Sequence, residues 1–365
     1  MSGAIGPTAY AGYGAMTSLI ADAQTVRQKL DRLTTQASTG LIAQTYAGLG
    51  SGASVSLDLH PQLAAMQTWQ TNINAATGTM GVTQTAMTQL QSIASSFYAQ
   101  MNTLNGVNPS NVDTVAASAR QALVQVAGLL DTTDGNTYVF GGADSTNPPV
   151  PNPNNILTSG FYTQINTAVG GLGGAGAAAT VASTLAISSS NAAGTSPFSA
   201  YMSQPAASLV AQIPAVQTGA GQTQSIGLLA SANTYVGSTG SSTTGSYARD
   251  LMRALATVGS LSSSQVSDTG FQGVVADTYT SLGGVVTAMA QDAGVLGNQQ
   301  TALTAIGTQL GDQTTALTAQ VSPAENVDMA QTLSNLSLVQ TQLQSSYQLI
   351  SGQSALSLVK FLPIG

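Results

Sequence analysis

The stretch DLHPQLAAMQTWQTNINAATGTMGVTQTAMTQLQSIASSFYAQMNTL, residues 58–104, carries the longest regular pattern in the chain. Two sets of apolar residues recur in it at steps of seven: Leu59, Met66, Ile73, Met80, Met87, Ala94 and Met101, and, three positions later, Trp69, Ala76, Leu90, Phe97 and Leu104. This heptad spacing predicts one helix over residues 58–104, about 70 Å long at ~1.5 Å per residue, with Pro61 in its first turn. Such length is typical of a coiled coil or helix bundle, and the methionines are interpreted as core packing rather than a cofactor site.

Both ends of the chain carry a similar apolar pattern. The positions are Leu19, Ala23, Val26, Leu30, Leu33 and Ala37 near the N-terminus, and Leu333, Leu336, Val339, Leu343, Tyr347 and Ile350 near the C-terminus. Steps of three and four residues predict one apolar face on each helix. No charged residue stands between Asp328 and Lys360, so the C-terminal helix has to bury its apolar face against something. We expect the helical ends to pack on each other.

The composition excludes several classes of partner. Only 6% of the 365 residues are charged, and 14 acidic against 7 basic residues give a net charge of −7. A protein with this acidic balance lacks the excess positive charge that binds nucleic acid or anionic lipid. Cysteine is absent, which excludes disulfides and Cys-ligated zinc. No apolar run approaches the ~18 residues of a membrane span, and the first residues lack the pattern of a cleavable signal. We therefore expect neither nucleic acid nor a membrane as a partner.

The middle of the chain has a different character. Between Asp144 and Arg249 there is no charged residue, and the runs AVGGLGGAGAAAT (168–180) and STLAISSS (183–190) are broken by Gly and Ser. These short runs predict a small β-rich or irregular insert. The predicted fold class is mainly α with a β-containing insert: an elongated bundle or coiled coil of long N- and C-terminal helices packed on each other.

Four segments are predicted along the chain. Residues 1–57 form an N-terminal assembly helix and loop, and residues 58–142 form long bundle helices that end in a short hairpin. Residues 143–245 form the variable middle domain, and residues 246–365 form the C-terminal helices that complete the bundle and the inner assembly helix.

Two motifs raise the question of catalysis. Residues 171–176, GLGGAG, match the letters of a dinucleotide-binding loop, but no acidic residue follows before Asp250, so a flexible loop is the favoured interpretation. The single histidine, His60, lies close to Asp58 and directly before Pro61. A solvent-facing position near a helix start is favoured for it over the role of a catalytic base.

The remaining acidic residues are too sparse for a metal site. Asp131 with Asp134, and Glu325 with Asp328, are interpreted as solubilising charges at helix ends. The sequence therefore predicts no catalytic, cofactor-binding or metal-binding residues, and no cofactor.

Three motifs carry a resemblance to a known family. LTTQASTGLIAQ (33–44) is similar to the N-terminal helix of the bacterial flagellin family with its Ser-Thr-Gly turn. TYVFGG (137–142) resembles the aromatic-glycine hairpin of the family's hook-filament junction branch, and ALSLVKFL (355–362) resembles the Leu-rich C-terminal signature of that branch. The resemblance covers residues 15–142 and 246–365, and the middle remains unassigned.

The resemblance implies a structural, non-enzymatic protein outside the cell, in the bacterial flagellum. It implies terminal segments that are unfolded in the monomer and form an inner coiled-coil tube on assembly. The implied partners are further copies of the chain, adjacent hook-associated protein and flagellin subunits, a flagellar export chaperone and the type III export apparatus. The predicted assembly interface consists of Leu19, Val26, Leu30, Leu33, Leu333, Leu336, Leu343 and Ile350.

Departures from the family pattern favour one branch. YAGLGSGAS (46–54) stands where filament flagellins usually carry an Asp-Asp-Ala-Ala-Gly type segment, and the C-terminal end lacks their Asn-Gln run. Both differences favour a subunit of the hook-filament junction. The alternatives are a filament flagellin, a secreted adhesin whose middle domain binds a surface, and a nucleotide-binding enzyme that uses residues 171–176.

Overall fold

The computed structural model describes residues 8–104 and 109–355, with side chains over 17–104 and 111–352. Most of these residues are helical, which confirms the mainly α fold class. The helices are α1 (Thr8–Thr39), α2 (Gly52–Leu104), α3 (Pro109–Leu130), α4 (Gly160–Gly170), α5 (Leu172–Ser189), α6 (Ala206–Val210), α7 (Tyr247–Gly259), α8 (Phe271–Glu325) and α9 (Met329–Ala355). The strands are β1 (Thr133–Asp134), β2 (Thr137–Tyr138), β3 (Ala215–Gly219) and β4 (Gln222–Ser225). Nearly all of the C-terminal motif at 355–362 lies outside the described residues.

The chain divides by its contacts into two compact units. Met1–Gln67 and Asp312–Gly365 form what we call the terminal unit, and Thr68–Gly311 forms the central unit. Helices α2 and α8 contribute residues to both units. The four-segment organisation proposed from the sequence stays a prediction.

In the terminal unit, α1 packs along α9. The heptad pattern of α1 is confirmed, because its apolar positions are the buried and half-buried ones: Leu19, Ala23, Val26, Leu30, Leu33 and Ala37. Helix α1 ends before Gly40, whose φ of +74° is a left-handed conformation that glycine adopts without strain.

Helix α9 faces α1 in a register that differs from the predicted one. Leu333 and Tyr347 are 52% and 48% exposed, whereas Val339 is 1% exposed. Steps of seven from Val339 lead to Thr332, which is buried, and to Ser346, which is half-buried. A helix that keeps one face against a partner over several turns follows the seven-residue repeat, so two of the predicted apolar positions fall outside the packed face.

The methionine heptads of α2 are confirmed as core. Met80, Met87 and Met101 are at most 1% exposed, in the central unit. The predicted start of α2 is wrong, however, because the helix begins at Gly52 and carries Pro61 in its interior. A Cβ at Gly52 would lie 2.9 Å from the backbone oxygen of Ala324, so glycine at this position allows α2 and the end of α8 to approach closely.

The insert is more helical than its sequence predicts. The runs at 168–180 and 183–190, expected to be β-rich or irregular, lie almost entirely in α4 and α5. Helix α4 ends at Gly170, with Gly171 as its C-cap, and α5 begins directly afterwards at Leu172. Within α5, Gly176, with a φ of +77°, breaks the helical regularity. The hairpin of β3 and β4 supplies the expected β structure, with Val216 paired to Gln224 and a register shift between Gln217 and Gly219.

Helix α7 carries charged residues into the interior of the central unit. Arg249, Asp250 and Arg253 are 7%, 2% and 2% exposed, and all three are hydrogen-bonded. The Arg249 guanidinium donates to the backbone oxygens of Ser188 and Ser231, and it lies 5.1 Å above the ring of Phe198. Buried charges of this kind hold the insert only while their partners stay in place.

Asp131 gives the central unit a pH-dependent stability. Burial raises the pKa of this carboxyl to about 6, although it accepts a hydrogen bond from the Val150 backbone N–H at 2.8 Å. Because the pKa is higher in the folded state, the contribution of Asp131 to stability is complete below about pH 4 and is lost as the pH rises through 6.

We therefore expect Asp131→Asn to stabilise the protein at pH 7.5 by about 1–2 kcal/mol, a value reduced for the partial exposure of the carboxyl. The gain should vanish near pH 4, where the wild-type carboxyl is protonated. Urea unfolding of both proteins at several pH values measures this difference, and other titrating groups cancel in the comparison. A gain that is the same at every pH would contradict this interpretation.

Candidate assembly interface

Large apolar side chains remain exposed mainly in the terminal unit. Over the part of the chain with described side chains, those of this unit are Ile20, Leu41, Tyr46, Val55, Leu57, Met329, Leu333, Leu338, Tyr347 and Leu349. Val210, at 37% exposure, is the corresponding residue of the central unit within the same range. Soluble proteins that act alone rarely leave many large apolar residues uncovered in one region, and burying them on association is favourable by ~25 cal/mol per Å².

The structure brings together most of the residues predicted for assembly. Leu19, Val26, Leu30, Leu336, Leu343 and Ile350 are half-buried and Leu33 is buried, all on the two helices of the packed α1–α9 pair. Leu333 is exposed and lies apart from them on α9. Leu338 and Leu349 are still more exposed, and because they are about three helical turns apart they share one side of α9, away from Leu333. The α1–α9 pair thus has a packed face and an uncovered apolar face. Their role in assembly stays a prediction.

The turn that follows α1 is fastened to the junction of α8 and α9. The Ile42 N–H donates to the backbone oxygen of Glu325 at 2.6 Å, and the Val327 N–H donates to the backbone oxygen of Gly40 at 2.9 Å. The Asp328 carboxylate then accepts backbone N–H groups at the start of α9. These bonds fix where α1 ends and where α9 begins, and so help to place the two helices side by side.

The single glutamate of the chain is bonded to its single histidine at the same junction. The Nε2 atom of His60 lies 2.7 Å from Oε1 of Glu325, and the Ser56 hydroxyl donates to the same oxygen. The hydrogen bond from Ser56 and, after it, that from His60 lower the pKa of Glu325. His60 is indeed half-exposed, but it lies inside α2 and not near its start.

This cluster has a structural role and not the geometry of a catalytic relay. Ser56 and His60 both bind the carboxylate of Glu325, whereas nucleophilic catalysis needs the serine hydroxyl on the histidine ring. The cluster ties α2 to the end of α8 through side chains that the sequence places far apart. Sequence reasoning singled out Asp58 as the possible partner of His60 and missed Glu325.

The GLGGAG motif does not occupy a dinucleotide-binding context. Helix α4 precedes it, where a buried strand would be required, and the residues of the motif continue into α5. The prediction of a flexible loop is also wrong, since the residues from Leu172 onward are helical.

Four acidic residues were interpreted as solubilising charges at helix ends. Asp328 lies at such an end, whereas Asp131, Asp134 and Glu325 accept hydrogen bonds that hold other segments in place. Asp131 receives the Val150 N–H, and Asp134 receives the hydroxyl of Thr79 at 2.6 Å, so both hold the hairpin region in place. Across residues 8–104 and 109–355, no group of three or more potential metal ligands comes together.

Helix α5 is apolar enough to be considered as a membrane span. Over Leu172–Ser189 its mean hydropathy reaches 1.2, and 22% of this stretch is buried. The prediction that no apolar run approaches the ~18 residues of a membrane span is therefore wrong, because α5 has both the length and the hydropathy of such a run. One such helix in the described part of the chain is weak support for a membrane segment, since core helices pass the same test.

A second polar network in the central unit was not anticipated from the sequence. Asp292, fully buried in α8, accepts the backbone N–H groups of Thr234, Tyr235 and Val236 at 3.1, 3.1 and 2.9 Å. Burial raises the pKa of Asp292, and the three amides partly offset that effect. The signal in the sequence is slight: Asp292 is one of four acidic residues in a long apolar helix, and nothing local distinguishes it from the exposed Asp312.

In this protein, helices from both ends of the chain pack on each other and leave large apolar residues exposed. This arrangement is typical of a structural subunit that associates with other copies. Family comparison agrees with this class. The N-terminal helical region of bacterial flagellin matches residues 11–144, and its C-terminal helical region matches residues 280–362, together more than half of the chain. No curated protein matches it. The chain belongs to the bacterial flagellin family.

Membership confirms several of the expectations raised by the sequence. The family is structural and non-enzymatic, and its members are extracellular components of the bacterial flagellum that self-assemble into flagellar polymers. The chain is therefore a structural flagellar subunit, and the interpretation of residues 171–176 as an enzyme's cofactor site is wrong. The matched regions contain most of α1 and all of α2, α3 and α9, and leave the insert and α7 between them.

Proposed function

We propose that this subunit assembles at the junction between hook and filament, where it adapts one polymer to the other. The observation that carries the proposal is the aromatic-glycine hairpin TYVFGG at 137–142, which resembles that of hook-associated protein 3. The YAGLGSGAS segment at 46–54, in place of an Asp-Asp-Ala-Ala-Gly type segment, supports the same branch.

The hairpin has a structural consequence that suits an adaptor. Phe140 is 1% exposed, and its backbone oxygen accepts the Ala230 N–H at 3.1 Å, while Gly141 pairs with Leu229. Gly142 leaves room for the Leu229 side chain, because a Cβ at this position would lie 2.8 Å from Leu229 Cδ2. The segment therefore anchors the insert to the end of the preceding helical region, so that the insert is held in a fixed position on it.

The termini supply the assembly mechanism in this proposal. The uncharged Gln- and Ser-rich surface of α9 gives the helix little stability on its own, and contacts with neighbouring subunits offset the cost of ordering it. The exposed apolar residues of the terminal unit then bury against further copies of the chain and against adjacent hook-associated protein and flagellin subunits. Delivery uses an export chaperone and the type III export apparatus, which keep these surfaces apart until assembly.

The filament subunit is the other candidate function, and localisation separates the two. An antibody raised against residues 145–245, the insert outside both family matches, is applied to intact cells for immunogold electron microscopy. We expect one gold cluster per flagellum, where hook meets filament. Labelling along the whole filament would instead identify the filament flagellin, and label on the cell body beside unlabelled flagella would contradict both roles in favour of a surface adhesin.

A further inference from the structure

We infer that Tyr98 and Tyr279 form a site of oxidative modification, at which a one-electron oxidant joins the two phenol rings into a dityrosine cross-link between α2 and α8. Both residues belong to the central unit. The inference holds whether the subunit lies at the junction or in the filament, since it depends only on the geometry of this pair.

The two rings are held in a geometry close to that of the coupling reaction. They stack with centroids 4.4 Å apart and planes inclined by 15°, and the Tyr98 hydroxyl donates to the Tyr279 hydroxyl at 2.7 Å. The oxygens are thus closer than the ring centres, so the hydroxyl ends of the rings converge. Dityrosine forms between the ring carbons next to the hydroxyl-bearing carbons, and these carbons lie at the converging ends.

The chain provides space for this pair. Gly283 follows Tyr279 by one turn of α8, and a Cβ at Gly283 would lie 3.2 Å from Cε2 of Tyr98. The Tyr98 ring therefore rests on the backbone of α8 at a glycine. Phe97 and Met101, next to Tyr98 on α2, are 5% and 0% exposed, so the helix that carries the ring is fixed in the core. A pair fixed in this way reacts as one unit, without the entropy loss of an encounter.

The chemical setting favours tyrosine as the oxidised residue. The chain has no cysteine, and members of its family work outside the cell, where oxidants are not removed by a reducing cytosol. Both tyrosines are half-buried, so electrons can leave them while bulky radicals are kept from the rings. The hydrogen bond to Tyr279 raises the pKa of Tyr98 further above neutral pH, so oxidation of Tyr98 removes an electron together with a proton.

The reaction balances with hydrogen peroxide as terminal oxidant. Each phenol loses one electron and its hydroxyl proton to give a phenoxyl radical, and the two radicals form a carbon–carbon bond. The hydrogens on the bonded carbons then move to the oxygens, which restores both phenols. One molecule of hydrogen peroxide takes up the two electrons and two protons and becomes two molecules of water. The product is lighter than the starting chain by two hydrogen atoms.

The test treats the purified full-length protein, dilute enough to stay monomeric, with a haem peroxidase and limiting hydrogen peroxide. We expect dityrosine fluorescence, a mass loss of two hydrogen atoms, and a cross-linked peptide pair that contains Tyr98 and Tyr279. Because the cross-link closes a loop of about 180 residues, the unfolding midpoint should rise by roughly 10 °C. Tyr279→Phe should remove this product and the shift.

Two further variants test whether the cross-link depends on the geometry of the Tyr98–Tyr279 pair or only on how exposed a tyrosine is. Gly283→Ala keeps both tyrosines but displaces the Tyr98 ring, and should lower the yield of the intrachain cross-link several-fold. Tyr347→Phe, at a position that is 48% exposed in the terminal unit, should leave that yield unchanged. The proposal is overturned if the cross-links join exposed tyrosines such as Tyr46 and Tyr347 between chains, with none between Tyr98 and Tyr279, or if Gly283→Ala has no effect.

Discussion

Val339→Asp should abolish incorporation of the subunit into flagella while leaving the central unit folded. Val339 is 1% exposed on the face of α9 that packs against α1. An aspartate at this position would place a carboxylate among apolar side chains, at a cost of several kcal/mol, unless it became protonated. The α1–α9 pair would then not form, and the terminal surface that depends on it would be lost. Motility, the polymerised fraction and the amount of monomer in the medium measure the effect.

The residues next to Val339 provide matched controls on the same helix. Gln340→Asp adds the same charge at an exposed position and should leave assembly unchanged. Leu338→Asp changes a side chain that is 58% exposed, so it tests the uncovered apolar face and not the packed one. We expect it to reduce polymerisation without altering the monomer. Normal flagella with Val339→Asp would show that the α1–α9 pair is not needed, and normal flagella with Leu338→Asp would show that the uncovered face is not an interface.

The helical framework could be predicted because its signal is local. Heptad spacing depends on residues three, four and seven apart, and the same spacing decides which side of a helix is buried. Met80, Met87 and Met101 in α2, and Ala23 and Leu33 in α1, lie in the interior as that spacing requires. The family resemblance rests on short motifs that adjoin helices along the chain, at 33–44, 137–142 and 355–362, and the two matched regions include all three.

The register of α9 shows where a local pattern becomes ambiguous. Leucine also occurs at exposed positions such as Leu338 and Leu349, so more than one line of apolar residues can be drawn along the helix. Steps of three and four lead from Leu333 to Leu336, whereas the packed face runs through Thr332 and Val339. Only the partner helix decides between them, and the sequence of α9 does not contain that information.

The polar clusters could not be predicted, because their members are far apart in the sequence. Ser56 and His60 meet Glu325 from the other end of the chain, and Arg249 meets the backbone of Ser188. Composition suggested that the few charges lie on the surface, since charged residues usually do. Here a low overall charge coexists with buried charges, because the backbone and side-chain groups of a charge-free insert supply their hydrogen bonds.

Asp292→Ala should produce a large loss of stability, on the order of 3–5 kcal/mol, because it removes the acceptor that holds the insert. The Asp292 carboxylate receives three successive backbone N–H groups from residues 234–236, and it is fully buried. Alanine would leave all three amides without a partner in the interior and would open a cavity beside them. Chemical unfolding followed by circular dichroism measures the loss, and limited proteolysis within 200–245 should become faster.

Two further substitutions identify the cause of that loss. Asp292→Asn keeps the volume and one acceptor oxygen, so it should cost clearly less than alanine, about 1–3 kcal/mol, since its amide nitrogen cannot accept the remaining N–H. Asp312→Ala removes an exposed carboxylate further along α8, and should change the free energy of unfolding by less than about 0.5 kcal/mol. If Asp292→Ala were as stable as Asp312→Ala, the three amides would not depend on this carboxylate. If asparagine were as costly as alanine, the negative charge itself, and not the number of acceptors, would hold the insert to α8.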